Sequence, residues 1–493
     1  MKAFTEPLLS LAGFEEMTKT AEKSSGLISV TGCIDAQKSQ MIYAFGGHRK
    51  NKLIVTFGEQ KAKELYDEYS FFDKEVVYYP SKDVLFYQSD IRGNLLTAER
   101  IRALKAIREQ ERVTLVTTFD ALMNTMAPIE KMWENVLTLE QEQLLDLKEI
   151  QAALIRMGYE KEYQVQTMGQ FSVRGGILDV FPLTEENPIR IELWGDEIDT
   201  IRYFDCESQK SIENIEQVSI YPAAELVLSD EEKAGGIEKL KAEAKRVSDK
   251  LRKQMKTEEA HRVSEMADEL TEEWGELSMY AGMDAFLSYF FDERVGILDY
   301  FKPSDSLIFF DELTRCTEQG KLTETEFSES MKQRLAMGYI LPGQMNGLFT
   351  EKEIVAKLGK YSCIALAALD NKANGLHQLG SYGIHCQSVS PYNNSFELLI
   401  KDLKRYKKNG YRVILLSGSR TRAKRLSEDI TDQGITCFYT ENYDHELSQG
   451  QIMVCYGKVR RGFEYPILKF AVITESDIFG AQQKKKKRHR TYE

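Results

Sequence analysis

The sequence predicts a multidomain α/β protein, in which a parallel α/β lobe is interrupted by a β-rich unit and followed by a further small α/β domain. Three observations point there. Short apolar strands alternate with helical stretches towards both ends of the chain. Between Val165 and Tyr221 the pattern turns almost wholly to strands. The 493 residues are enough for three or four domains, at roughly 150 residues each.

In chain order, Leu27 to Thr31 reads as a short apolar strand, and KLIVTF (Lys52 to Phe57) and EVVYY (Glu75 to Tyr79) as two more. A charged helix follows in AERIRALKAIREQ, then the strand VTLVTT (Val113 to Thr118). Strands alternating with helices predict a parallel sheet. In the β-rich unit, FSVRGGILDVFP and IRIELWGDEIDTIRYFD read as antiparallel strands joined by the Asn-Pro turn LTEENP. Ser229 to Tyr280 is dense in Lys and Glu at helical spacing, as solvated helix faces are. SLIFFDELTRC (Ser306 to Cys316) returns to a buried strand that ends in Asp311-Glu312. Ser362 to Ala368, Tyr411 to Ser417 and Phe470 to Thr474 are the strands of the last α/β portion, and KKKKRHRTYE closes the chain.

Composition excludes several classes. The net charge is −12 and the pI about 5.4. Duplex-binding proteins draw most of their affinity from phosphate neutralisation, so any nucleic-acid contact here is local or made by a partner. The seven cysteines are scattered without C-x-x-C spacing, as expected of reduced thiols in a cytoplasmic protein rather than a zinc site or disulfide framework. The six histidines do not fall at metal-ligand spacings. There is no signal-peptide apolar region and no run of about 18 apolar residues, so no membrane segment is expected.

Three constellations carry chemistry. SVTGCIDAQKSQ (Ser29 to Gln40) spells G-x-x-x-x-Q-K-S from Gly32, one residue from a phosphate-binding loop. Such a loop aims backbone N–H groups at phosphates, uses its Lys for charge and its Ser or Thr for magnesium. Gln37 puts a side chain where the second glycine should be, with Lys38 and Ser39 following. LIFFDE resembles a Walker B strand with Asp311 and Glu312 in the metal and water roles, although apolar strands ending in an acid are common. In the strand through Trp194, alternation turns Ile189, Ile191 and Leu193 to the core and Arg190, Glu192 and Trp194 outward. A surface Trp beside an Arg marks either an interface hot spot or a ring covered by a neighbouring domain.

FSVRGGILDVFP, PIRIELWGDEIDTIRYFD and SQKSIE resemble the bacterial transcription-repair coupling factors (the Mfd family) and, more distantly, the excinuclease component UvrB. MAPIEKMW, MGYEKEYQV and FAVITESDIFG followed by a basic stretch extend the likeness along essentially the whole chain. The resemblance implies a UvrB-like module: a split helicase-like lobe at 1–127 and 219–352, an inserted UvrA-binding domain at 128–218, a small α/β domain at 353–480 and a basic linker at 481–493. It implies a non-motor, N-terminal fragment, since the family's RNA-polymerase-interacting domain and DNA translocase domains find no counterpart here. No catalytic residue, metal or bound ATP is then expected.

The UvrB run V-T-G-S-G-K-T, set on Val30-Thr31-Gly32, puts Asp35 where the phosphate lysine belongs. Lys38 then lies three residues into the helix, about 4.5 Å further along its axis, a coincidence of spacing. Replacing attraction by repulsion at about 4 Å is worth about 4 kcal/mol each way at an effective dielectric of 20, more than the roughly 1 kcal/mol of a helix dipole. The long UvrB hairpin likewise has no room in VVYYPSKDVLFYQSDIRGNLLTAERI. The family's UvrA contacts fall on Arg174, Arg190 and Trp194, and Gly175-Gly176 offers a bend that brings Arg174 to the same edge. The competing expectation is an active nucleotide-binding helicase lobe using Lys38 and Asp311-Glu312. Arg460 and Arg461 read as surface residues, and Lys484 to Arg490 as either a solvated linker or a non-specific DNA contact.

Overall fold

The structure is a computed structural model that describes residues 1–45, 50–83, 93–276, 282–369 and 375–480. The basic stretch 481–493 and residues 84–92, on which the expected lack of a UvrB-type hairpin turns, lie outside the described residues. The chain forms two compact units, one of Met1–Val76, Pro303–Cys316 and Ala356–Glu493, the other of Val77–Lys302 and Thr317–Val355.

The first unit holds two sheets. Five parallel strands run in the order Gln378–Gly383, Gly26–Thr31, Ser362–Leu366, Ser306–Asp311, Asn51–Thr56. Every residue of Ser306–Asp311 and Ser362–Leu366 is buried, which is why both read as continuous apolar runs: interior parallel strands are covered on both faces. The edge strand Gln378–Gly383 is half exposed and carries two glycines, so no apolar period announces it. The second sheet has six strands, with Phe470–Thr474, Arg412–Ser417 and Ile452–Tyr456 parallel at its centre. Leu399, Leu403, Ala423 and Ile430, from the helices Phe396–Lys408 and Arg420–Asp432, pack against it.

In the second unit, six strands run in the order Ser211–Ile215, Glu197–Phe204, Ile189–Trp194, Ile177–Val180, Gln170–Arg174, Glu160–Lys161. All neighbours are antiparallel except the last pair. One face of this sheet buries Phe171, Leu178, Ile189, Ile191 and Ile201 against Leu154 of the helix Leu147–Arg156; the other face stays polar. The Lys- and Glu-rich stretch forms two paired helices, Asp230–Lys253 and Thr257–Glu276, whose inner sides bury Leu240, Ala244, Leu251, Val263 and Trp274. Ser229 and Glu232 close a capping box at the start of the first.

Arg100, within the charged helix Gly93–Glu109, is fully buried. Its guanidinium stacks 4.1 Å from the centre of the Tyr79 ring, and its Nε donates to Glu225, which also pairs with Lys82 at 2.8 Å. Burial pushes the Glu225 carboxyl up, but Arg100 and Lys82 outweigh it and bring it down to about 2 from an ordinary 4.5. A folded-state value below the unfolded one stabilises the fold above the unfolded value and is lost as pH falls through the folded one. Acid should therefore weaken this unit between pH 4.5 and about 2. Glu225→Gln should flatten that limb of the melting-temperature profile, and a limb unchanged in the variant would disprove the assignment.

Candidate functional site

The polar face of the six-stranded sheet is built by strand pairing. Residues directly opposite one another in an antiparallel pair project to the same side. Arg190 stands opposite Asp179 on one side and Arg202 on the other; Glu192 stands opposite Ile177 and Thr200; Arg174 stands opposite Ile177. With the alternation of the pleat, this places Arg174, Asp179, Arg190, Glu192, Arg202 and Trp194 on one face. Gly175, at φ +60°, begins the two-residue turn that sets Arg174 opposite Ile177. Trp194 is 85% exposed.

Asp179 organises the face. Its side chain is almost wholly buried, yet both oxygens meet cations. Arg190 donates from Nε at 2.7 Å and from Nη2 at 2.8 Å, and Arg174 donates from Nη2 at 3.0 Å. Arg190 also donates to Gln209 at 2.8 Å and lies 4.3 Å from the centre of the Phe204 ring. The hydrogen bond with Asp179 holds the Arg190 guanidinium above its already high ordinary value. Beside them Arg202 grips Glu192 with two hydrogen bonds of 2.5 and 3.0 Å, which draw that carboxyl below its usual range. The two arginines expected at the partner contact are thus held in place by a shared carboxylate, while the tryptophan beside them stands free of the sheet.

Three residues of this face escape sequence reasoning, Arg202 among them. Asp179 left one trace, an acid in the otherwise apolar strand Ile177–Val180. Leu144 left none. It pairs across a single bridge with Glu197, and Glu197 pairs with Trp194. Leu144, 74% exposed, therefore lies on the same side as Trp194, one strand beyond Glu197.

The loop SVTGCIDAQKSQ has a different geometry. The strand ends at Thr31 and the helix Asp35–Ala44 begins four residues later. The N–H groups of Gly32 and Cys33 donate to the carbonyls of Ala368 and Ala367, at 3.2 and 3.0 Å. Gly32 sits at φ +80°, and a Cβ there would meet the Ile384 carbonyl oxygen at 2.0 Å. Gln37 is buried inside the helix, and the buried Ser39 hydroxyl has no hydrogen-bond partner among the described residues.

Lys38, incidental in the family register, occupies the middle of this region. Its side chain is 1% exposed, with Nζ 2.5 Å from Asp311 Oδ1, 2.9 Å from Glu312 Oε1 and 3.3 Å from Asp35 Oδ1. Thr56 donates to the other Asp311 oxygen at 2.8 Å, and Lys61 pairs with Asp35 at 2.9 Å. Burial opposes the Lys38 charge, but Asp311 and Glu312 outweigh it and hold the ammonium above the ordinary lysine value. Burial also pushes Asp35 up, and Lys61 and Lys38 overcome that to leave it lowered. Arg460 and Arg461 are exposed, Arg460 paired with Glu64 at 2.7 Å. Among the described residues no group of three or more His, Cys, Asp or Glu is placed to hold a metal ion, and no helix is long and apolar enough to cross a membrane.

Residues 137–226, which include the whole of the polar face, match the family described as the UvrB interaction domain. The chain is 28% identical over 438 residues to the transcription-repair-coupling factor of Bacillus subtilis (strain 168), covering 88% of this chain and 36% of that protein. It is 26% identical over 471 residues to that of Staphylococcus haemolyticus, covering 94% of this chain and 39% of the relative. It is 27% identical over 488 residues to that of Staphylococcus aureus (strain MRSA252), covering 96% and 40%. The chain thus spans well under half the length of the relatives it matches. Along nearly all of its own length it is similar to transcription-repair-coupling factors, with the match to the UvrB interaction domain at its β-rich centre.

Proposed function

We propose that this chain is a non-motor recruiting module of transcription-coupled nucleotide excision repair, which binds the UvrA subunit through the polar sheet face. The observation that carries the reading is Trp194, fully presented beside two arginines fixed by Asp179, within the segment that matches the UvrB interaction domain. A rigid aromatic anchor next to oriented guanidinium groups is the usual composition of a hot spot, and polar surroundings suit a contact that must be released. Arg190→Ala should weaken UvrA binding roughly tenfold or more by titration calorimetry. Because that change leaves Asp179 with Arg174 alone, circular dichroism and a melting curve belong with it. Unaltered affinity in a folded variant would remove Arg190 from the site.

The same reading assigns no catalysis and no nucleotide to the first unit. Support comes from the N–H groups of Gly32 and Cys33, already spent on Ala368 and Ala367, and from Lys38 already neutralised by Asp311 and Glu312. The second reading, an ATP-binding helicase lobe, draws on that same meeting of Lys38 with two Walker-like acids. Magnesium-dependent ATP binding by the chain that disappears in Lys38→Ala would favour it; heat-silent titration with ATP is the result expected.

A further inference from the structure

We propose that the outer face of the helix Asp230–Lys253 binds the phosphate backbone of duplex nucleic acid. The chain as a whole is acidic, with a net charge of −12, yet between residues 241 and 256 seven basic side chains stand against two acidic ones. Lys241, Lys245 and Arg252, at spacings of four and seven, form one stripe of the helix, and Arg246, Lys250 and Lys253 the stripe beside it. All six are exposed. The opposite side carries Leu240, Ala244 and Leu251 into the core shared with the second helix, so the basic side is the one left to solvent.

Two ordinary explanations fall short. Helix C-termini favour cations, but that effect fades within the last turn, whereas Lys241 and Lys245 lie two or more turns before Lys253. Intrahelical ion pairs account for little either. Arg246 and Arg252 reach Glu243 and Asp249 only at 3.7 and 4.0 Å. Lys241, Lys245, Lys250, Lys253 and Lys256 have no ion-pair partner among the described residues. These side chains form a row of exposed positive charges on a solvated face, about 18 Å from Lys241 to Lys253 at 1.5 Å per residue, with the sign and reach to meet an anionic surface.

The side chains also select the anion. Lysine meets phosphate as a point charge, without the bidentate geometry that fixes a carboxylate to arginine. A repeating backbone of phosphates suits such a row better than the irregular carboxylates of a protein surface. No aromatic residue lies between 241 and 256, and single strands are held by base stacking on aromatic rings, so the favoured form is a duplex, contacted without sequence readout.

The experiment measures fluorescence anisotropy of a labelled 30-base-pair DNA duplex with the intact chain over a series of salt concentrations. The chain should bind weakly and with steep salt dependence. The triple reversal Lys241→Glu, Lys245→Glu, Lys250→Glu should weaken binding at least tenfold at low salt. It should also reduce the slope of log affinity against log salt by about 2.7, at about 0.9 for each phosphate no longer neutralised. Glu is a good helix former, and circular dichroism would verify the fold. The control reverses the exposed Lys401, Lys404 and Lys408, on the helix Phe396–Lys408. Equal losses in test and control would mean that net charge alone is at work, and identical isotherms for the test variant and the unaltered chain would place the contact elsewhere, the basic stretch at 484–490 included. Displacement of the duplex by polyglutamate at matched charge would mark the face as a docking site for acidic protein. Each of these three results overturns the proposal.

Discussion

Lys38→Met should destabilise the first unit by about 3–5 kcal/mol, the usual cost of removing one partner from a buried ion pair. Met keeps the length and most of the volume of the side chain, so the loss isolates the charge. Without the ammonium, Asp311 retains only the Thr56 hydroxyl, and Glu312 keeps the Ala368 N–H at 3.2 Å. One carboxylate is wholly buried and the other about one quarter exposed, so the pair must either repel or take up a proton. Adding Asp311→Asn and Glu312→Gln to Lys38→Met should restore much of the stability, because neutral partners of the same shape no longer demand a counter-charge. Chemical denaturation of the single and triple variants decides the matter. A single variant as stable as the parent would mean that solvent already neutralises the acids. A triple variant no better than the single would mean that Lys38 acts through packing.

Trp194→Ala should lower UvrA affinity by about 30-fold or more, the loss associated with a hot-spot residue of at least 2 kcal/mol. The ring covers no core residue and is 85% exposed, so its removal should leave the melting temperature unchanged. That makes it a cleaner probe than Arg190, whose loss also unbalances Asp179. Leu144→Ala should cost less, and the two losses should be non-additive if one pocket of UvrA receives both side chains across Glu197. Wild-type affinity in Trp194→Ala would reject the sheet face as the UvrA contact. A full effect at Trp194 with none at Leu144 would confine the contact to the arginine side.

The strands were legible wherever burial is strong: KLIVTF, VTLVTT and SLIFFD each became a strand within a residue of the expected limits. The outward turn of Arg190, Glu192 and Trp194 was legible too, because a two-residue period survives on a half-buried sheet. What stayed hidden depends on contacts distant in the chain. Lys38 and Asp311 are 273 positions apart, and no local pattern tells a lysine at the fourth position of a helix that it will be buried on an acid. Family register moved attention to Asp35, which the structure shows bound to Lys61 and Lys38. Arg100 looked like one charge among many on a polar helix, and only the fold reveals Glu225 beside it. The edge strand Gln378–Gly383 shows no apolar period, with Leu379 its one aliphatic side chain, because half of it never leaves water.

The parallel sheet of the first unit has a consequence for how the chain acquires its structure. Asn51–Thr56 and Ser306–Asp311 are adjacent strands, yet the hydrogen bond from Thr56 to Asp311 spans 255 positions. Most of the second unit, Val77–Lys302, lies between them. Loop-closure entropy must be met before such pairing returns anything, and topologies rich in distant pairings form slowly. During synthesis Asn51–Thr56 cannot meet Ser306–Asp311 until the ribosome has released residues beyond Asp311, by which time the intervening segment has had time to fold. Its prior folding would shorten the effective distance between the two strands, so that in each molecule the pairing beside Lys38 follows the β-rich sheet that precedes it in the chain.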